Sequence, residues 1–194
     1  MVNTKRMVQI GIVIMFGLNI FGSIVFAQNI TEAYIYQDGD NNQATIQQRA
    51  LDSWAMQYQI GSNNESYIYQ AGEGNSSLQT QTGNANQASA TLLGNNNLTI
   101  QNQLGDANTL FIWQYGNSNS LIQNQIGSEN LAVAWVLGSS NTVAQNQVGH
   151  GHTSKITIAG NNNIVSNNQV GSDSNLSLFH IGDNTVINAI RFGF

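Results

Sequence analysis

The chain has 194 residues, enough for one domain with a sizeable core. Only 8% are charged, and none is proline or cysteine, which excludes disulfides, cysteine-ligated metals and the highly charged make-up of a solvated disordered coil. With 29 Asn and 20 Gln, about a quarter of the sequence carries a primary amide, a composition that goes with β-assembly.

The first element is a leader. Lys5 and Arg6 precede an apolar run from Met7 to Phe26, and small Ala27 stands before Gln28. That is the layout of a secretory signal peptide cleaved after Ala27, which makes 1–27 the leader and 28–194 the mature domain. A retained transmembrane anchor is the rival, since the run is long enough to span. Gln9 and Asn19 interrupt it, and the small-residue exit favours cleavage. The mature domain keeps Arg49, Lys155 and Arg191 against ten acids, a formal charge of −7. It has no electrostatic footprint for nucleic acid.

A glycine grid of period eleven then fills the chain: Gly39, Gly61, Gly72, Gly83, Gly94, Gly105, Gly116, Gly127, Gly138, Gly149, Gly160, Gly171, Gly182 and Gly193. Only Ala50 breaks it. Two residues before the grid, 10 of 15 positions are Gln. Three residues after it, 10 of 14 are Asn: Asn42, Asn64, Asn75, Asn86, Asn97, Asn108, Asn119, Asn130, Asn141 and Asn163. A fixed period is the sequence signature of a repeat architecture.

Between the turns lie six-residue stretches such as ESYIYQ (65–70), TLFIWQ (109–114) and LAVAWV (131–136). They alternate and favour β-branched and aromatic residues, which predicts strands. Segments such as AGEGN and YGNSN are turns, where Gly supplies positive φ. Helix is disfavoured, because each Gly would cost about 1 kcal/mol against Ala. The pattern predicts 15 strands, the first starting at Glu32 and the last at Val186.

Alternate strands differ. One row reads WAMQYQ, SSLQTQ, LTIQNQ, SLIQNQ, TVAQNQ, IVSNNQ; the other reads ESYIYQ, QASATL, TLFIWQ, LAVAWV, TSKITI, NLSLFH. The unit is therefore 22 residues: strand, turn, strand, turn. Each row stacks on itself into a sheet, with two sheets about 10 Å apart and coils rising about 4.8 Å. The expected fold is all-β: a two-sheet β-solenoid of about 7.5 coils, roughly 36 Å tall, able to stack into cross-β amyloid fibres.

Side chains alternate along a strand, so positions two, four and six are expected to point inward. In the first row the fourth position gives Gln57, Gln79, Gln101, Gln123, Gln145 and then Asn167. The sixth gives Gln37, Gln59, Gln81, Gln103, Gln125, Gln147 and Gln169 without a gap. Amides stacked at the strand spacing bond up and down the column as a ladder. A buried amide that misses its partner costs about 1–3 kcal/mol, so the ladder fixes register. The second row places Ile46, Ile68, Ala90, Ile112, Ala134, Ile156 and Leu178 at its fourth position. One inner face is expected to be amide-rich and the other aliphatic. The asparagines are assigned to left-handed turn positions, with columns such as Asn42, Asn64, Asn86, Asn108 and Asn130 laddering as well.

Little points to catalysis. His150 and His152 share the turn VGHGH, but a metal site would need further ligands, and His152 reads as a replacement for a turn Asn. His180 reads as a half-exposed replacement for a ladder Gln. Asp38, Asp40, Glu73 and Asp106 do not recur at one offset, as a repeat-based calcium site requires, and read as solvated turn charges. Outward Tyr67, Tyr69, Phe111, Trp113, Val133 and Trp135 form either a binding stripe or in-row stacking. No nucleophile–base pair, phosphate loop or basic groove is visible. The chain is not expected to be an enzyme or to take a cofactor, a metal, a small-molecule substrate or nucleic acid.

The unit Q-x-G-x-x-N-x-small-x-x-x-Q, carried by QIGSNNESYIYQ (59–70) and QLGDANTLFIWQ (103–114), and by QTGNANQASATL (81–92) with one departure, resembles the curlin repeat. The resemblance covers about 32–194. It implies a secreted subunit of curli, extracellular functional amyloid fibres of bacteria that serve adhesion and biofilm matrix. It implies as partners further copies of the chain and other curlin subunits, with periplasmic chaperones and an outer-membrane secretion pore on the way out. Departures are the short segment Gln28 to Thr31 where curlins carry an export signal, and Leu92, Val136, Ile158 and His180 in place of ladder Gln. Turn residues at both ends of the unit, and Arg191 in the last repeat, resemble the minor, nucleating subunit.

Without the resemblance, the first strand EAYIYQ (32–37) has no clear blunting of its edge by charge, proline or a cover, and with Arg191 as the one blunting charge at the last strand the repetitive template also leads to a filament. The alternatives are a monomeric β-solenoid that binds ice or carbohydrate, for which the mixed outward column Met56, Leu78, Ile100, Ile122 lacks regular Thr, and an enzyme on a solenoid, for which the acids are too scattered.

Overall fold

Each alternating stretch forms a strand, and each segment around a grid glycine carries the chain to the opposite sheet. The computed structural model describes residues 9–16, 21–26 and 31–194, and these form strands and turns with no helix. Sheet A orders β1 (Gln9–Phe16), β3 (Thr31–Asp38), β5 (Ser53–Ser62), β7 (Ser76–Asn84), β9 (Leu98–Asp106), β11 (Ser120–Ser128), β13 (Thr142–His150), β15 (Ile164–Ser172) and β17 (Val186–Phe192). Sheet B orders β2 (Phe21–Phe26), β4 (Gln43–Leu51), β6 (Glu65–Glu73), β8 (Gln87–Leu93), β10 (Thr109–Tyr115), β12 (Leu131–Leu137), β14 (Thr153–Ala159) and β16 (Asn175–Ile181). Every pairing is parallel and in a 22-residue register, from Gln9↔Thr31 to Val170↔Phe192. The fold is a two-sheet β-solenoid of about eight turns.

The 15 expected strands are β3 to β17. Two more lie in the apolar run assigned to a signal peptide, where β-branched residues such as Ile12, Val13 and Ile14 suit a strand. These two, β1 and β2, stack on β3 and β4 in the same register. The cleavage point between Ala27 and Gln28 lies outside the described residues.

From β3 to β15, positions two, four and six of the six-residue stretches point inward and are buried, as in the alternating pattern of β6 and β7. In the last coil Leu178, His180, Ile187 and Ala189 are half-buried and Arg191 is exposed. Aliphatic clusters form around Ile35, Ile46 and Ile68 and around Ile112, Val136, Ile156 and Ile158. Sheet A carries most of the inner amides and sheet B most of the inner aliphatics, but Ile35, Leu121, Val143 and Val165 are sheet A members of these clusters and Gln48, Gln70 and Gln114 are inner amides of sheet B.

The turns differ from expectation in one respect. Left-handed backbone occurs at the grid glycine and again two residues later, at Asn63, Ala85, Ala107, Ser118 and Glu129 among others. The Asn three residues after the glycine is not left-handed; it lies buried in the stack. At Gly105, φ is +119°, and a Cβ there would overlap the carbonyl of Gly127 in the next coil. Both conformation and close approach therefore demand glycine. Ala50 escapes both constraints: its φ is not positive, and it lies within β4 opposite Gly72.

Candidate functional site

The inner glutamines form continuous ladders. Gln37 Nε2 donates to Gln59 Oε1 at 2.7 Å, Gln59 to Gln81 at 2.7 Å, and the chain of bonds runs on through Gln103, Gln125 and Gln147 to Gln169. The second amide hydrogen crosses to sheet B, as in Gln81 Nε2 to the Glu65 carbonyl at 2.9 Å. A second ladder joins Gln57, Gln79, Gln101, Gln123 and Gln145. Its cross-sheet bonds include Gln101 Nε2 to the Ser89 carbonyl at 3.1 Å. Each rung thus pairs a donor with an acceptor inside the buried core.

The expected continuation to Asn167 fails. Asn is one methylene shorter than Gln, and Gln145 Nε2 instead donates to Ser154 Oγ at 2.7 Å. Asn167 Nδ2 donates to the same hydroxyl at 2.7 Å. On sheet B only Gln48 and Gln70 form a rung, at 2.8 Å, because Leu92 follows.

All Gln rungs donate toward the C-terminal end. The Oε1 atoms of Gln37, Gln48 and Gln57, which open the three runs, have no hydrogen-bond partner among the described residues. Gln37 pairs in register with Met15 of β1, and Gln48 with Phe26 of β2. At the other end Arg191 follows Gln169 in the same column and is exposed.

The turn asparagines ladder with the opposite sense. Asn64 Oδ1 accepts from Asn86 N at 3.1 Å, and Asn86 Nδ2 also donates to the Gly105 carbonyl at 2.6 Å. Asn42, Asn108 and Asn130 continue this column, while Asn75, Asn97, Asn119, Asn141 and Asn163 form its counterpart on the opposite edge. His152 takes the Asn role. Its Nε2 lies 3.1 Å from the Val148 carbonyl and its Nδ1 accepts from Ser174 N at 3.2 Å. Both ring nitrogens are engaged, and neither is available to a metal. His180 is half-buried.

Two further ladders escaped the sequence reading. On the turn surface Asn84 N donates to Asp106 Oδ1 at 2.8 Å and Asn95 N to Asn117 Oδ1 at 2.9 Å, so Asp106 is a ladder acceptor and not merely a solvated charge. On the outer face of sheet A, Asn102, Asn124, Asn146 and Asn168 are linked at 2.8–2.9 Å. The recurrence of Asn, Asp or Ser just after the glycine, and of N between the two Q of QNQ, was the available signal.

Aromatic side chains stack along columns. Tyr36 lies on Tyr58 at 4.7 Å, and Trp113 meets Trp135 at 6.1 Å and a 53° tilt. Phe111, Trp113 and Trp135 border a surface groove of about 430 Å³ floored by Ser89 and Thr91. Burial pushes the hydroxyls of Tyr36 and Tyr67 above the ordinary phenol value. Asp38 and Tyr58 add to this at Tyr36; at Tyr67 the neighbouring Tyr69 adds and Arg49 opposes.

Comparison with family models, with curated proteins and with solved structures finds no match to this chain.

Proposed function

We propose that this chain is a secreted structural subunit of a curli-type extracellular amyloid fibre, adding end to end to support adhesion and biofilm matrix, and of the nucleating type. The observation that carries this reading is the polarity of the glutamine ladders. Gln37 and Gln48 leave acceptor oxygens unpartnered at the N-terminal end, opposite leader residues. Cleavage after Ala27 removes those residues and opens both oxygens together with the edge of β3. The far end offers the Arg191 guanidinium, a pure donor, in the same column as Gln169. An acceptor end and a donor end on one repetitive template make a heterologous contact, which extends without closing. The partners of this reading are further copies of the chain and other curlin subunits, with the secretion pore and chaperones of such a system.

Thioflavin fluorescence of the chain 28–194, diluted from denaturant with and without its own sonicated product, tests it. Seeding is expected to shorten the lag, and the uncleaved chain is expected to grow more slowly. A chain that stays monomeric at tens of micromolar for days overturns the reading.

A second reading, a soluble solenoid that binds carbohydrate, draws on the groove between Phe111, Trp113 and Trp135. Retention of a monomeric chain on insoluble polysaccharide, lost on Trp113→Ala, would favour it.

A further inference from the structure

The outward face of sheet A presents a surface that end-to-end stacking leaves uncovered. From β5 to β17 none of the outward side chains between the turn glycines of sheet A is charged, whereas the outward face of sheet B holds Arg49, Glu65 and Lys155. Three columns run up it. The Asn102–Asn168 ladder is central. On one flank stand Leu104, Ile126, Val148 and Val170, exposed by 53, 49, 43 and 43%. On the other stand Ile100 and Ile122.

Exposed apolar columns of this extent mark an interaction site. Their regular pitch restricts the occupant to a partner with the same strand spacing, and a second copy of this chain has that spacing by construction. We propose that this face pairs laterally with the same face of a second copy, the two solenoid axes running parallel. A two-fold axis along the solenoid, passing over the Asn column, sets Asn against Asn and the Ile100 and Ile122 column against Leu104 to Val170. Such a contact is an uncharged steric zipper. Seven strands about 4.8 Å apart and about 20 Å across give a flat face of roughly 670 Å². A corrugated face of that footprint approaches the ~800 Å² that each partner contributes to a standard interface. Asp52, Glu73, Asp106, Glu129, Asp173 and Asp183 sit in turns or at strand ends beside them, where they form a polar rim.

The contact is perpendicular to end-to-end growth and does not depend on it. Filaments of the wild-type chain and of Ile126→Lys, which puts an ammonium into the apolar contact, are compared by mass per unit length in dark-field electron microscopy. The wild type is expected to show two chains per cross-section and the variant one, a twofold drop. Asn124→Asp is expected to do the same, and Ser89→Lys on sheet B to leave two. Wild-type filaments with one chain per cross-section, or paired filaments in both sheet A variants, overturn the proposal. If no filament forms, end-to-end growth has failed, and light scattering on the soluble chain reads the lateral contact by itself. A wild-type dimer made monomeric by either sheet A variant supports it, and a wild-type monomer overturns it. Circular dichroism of each variant checks that the sheets are intact.

Discussion

Gln145 and Asn167 occupy one column 22 residues apart, yet they meet only through the hydroxyl of Ser154, which accepts from both. Asn167 Oδ1 has no partner of its own. Asn167→Gln is expected to reach Gln145 directly and raise stability by about 1 kcal/mol. Ser154→Ala alone leaves two buried donors short and is expected to cost about 1–3 kcal/mol. In the Asn167→Gln background that cost should shrink, which a double-mutant cycle by thermal melting measures.

His152 and the asparagines of its column solve the same problem with different rings of atoms. His152→Asn is expected to change stability by no more than about 0.5 kcal/mol, since an Asn there has Asn130 below it and the Gly171 carbonyl in the next coil. His152→Phe fills the space but strands the Ser174 N–H, at about 1–3 kcal/mol. Denaturant midpoints of the two variants separate packing from hydrogen bonding.

Turn strain is unevenly placed. Gly105→Ala is expected to destabilise by about 3 kcal/mol or more, because φ and the approach of the Gly127 carbonyl both oppose a side chain. Two residues on, Ala107 has φ 55°, and Ala107→Gly is expected to stabilise by about 1 kcal/mol. Thermal melts of both variants should shift in opposite directions.

Alkaline pH should weaken the fold. The hydroxyls of Tyr36 and Tyr67 hold their protons above the ordinary value of 10.0, and Tyr67 donates to Gln47 Oε1 at 3.2 Å. The folded chain therefore keeps protons that the unfolded chain releases, so their contribution is intact below about pH 10 and is lost as pH rises through the folded-state values. Denaturant melts from pH 9 to 11 are expected to show the fall, and Tyr67→Phe to flatten it.

The parts of this fold that recur with one residue type were readable beforehand. Gln103 and Gly105 stand out because one amide or one missing Cβ is required in every coil. The second left-handed position was hidden, since Asn63, Ala85, Ser118 and Glu129 all fill it: no side chain is selected where only the backbone is held. The Asn beside it was given the left-handed role because Asn tolerates that geometry, while its actual duty is to bond across coils. The Ser154 bridge joins opposite sheets nine and thirteen residues apart, offsets that fall outside the 22-residue period.

In-register stacking also quantises the length of this chain. Excising 22 residues within β5 to β11 between equivalent turns closes the sheet A glutamine columns onto matching neighbours, and duplicating 22 there extends them. Excising eleven instead brings a sheet B strand beneath a sheet A strand, with residues such as Leu92 or Val136 landing in the glutamine column. Insertions and deletions are therefore tolerated in whole turns and penalised in halves, and the molecule can lengthen or shorten by copying without inventing a new contact.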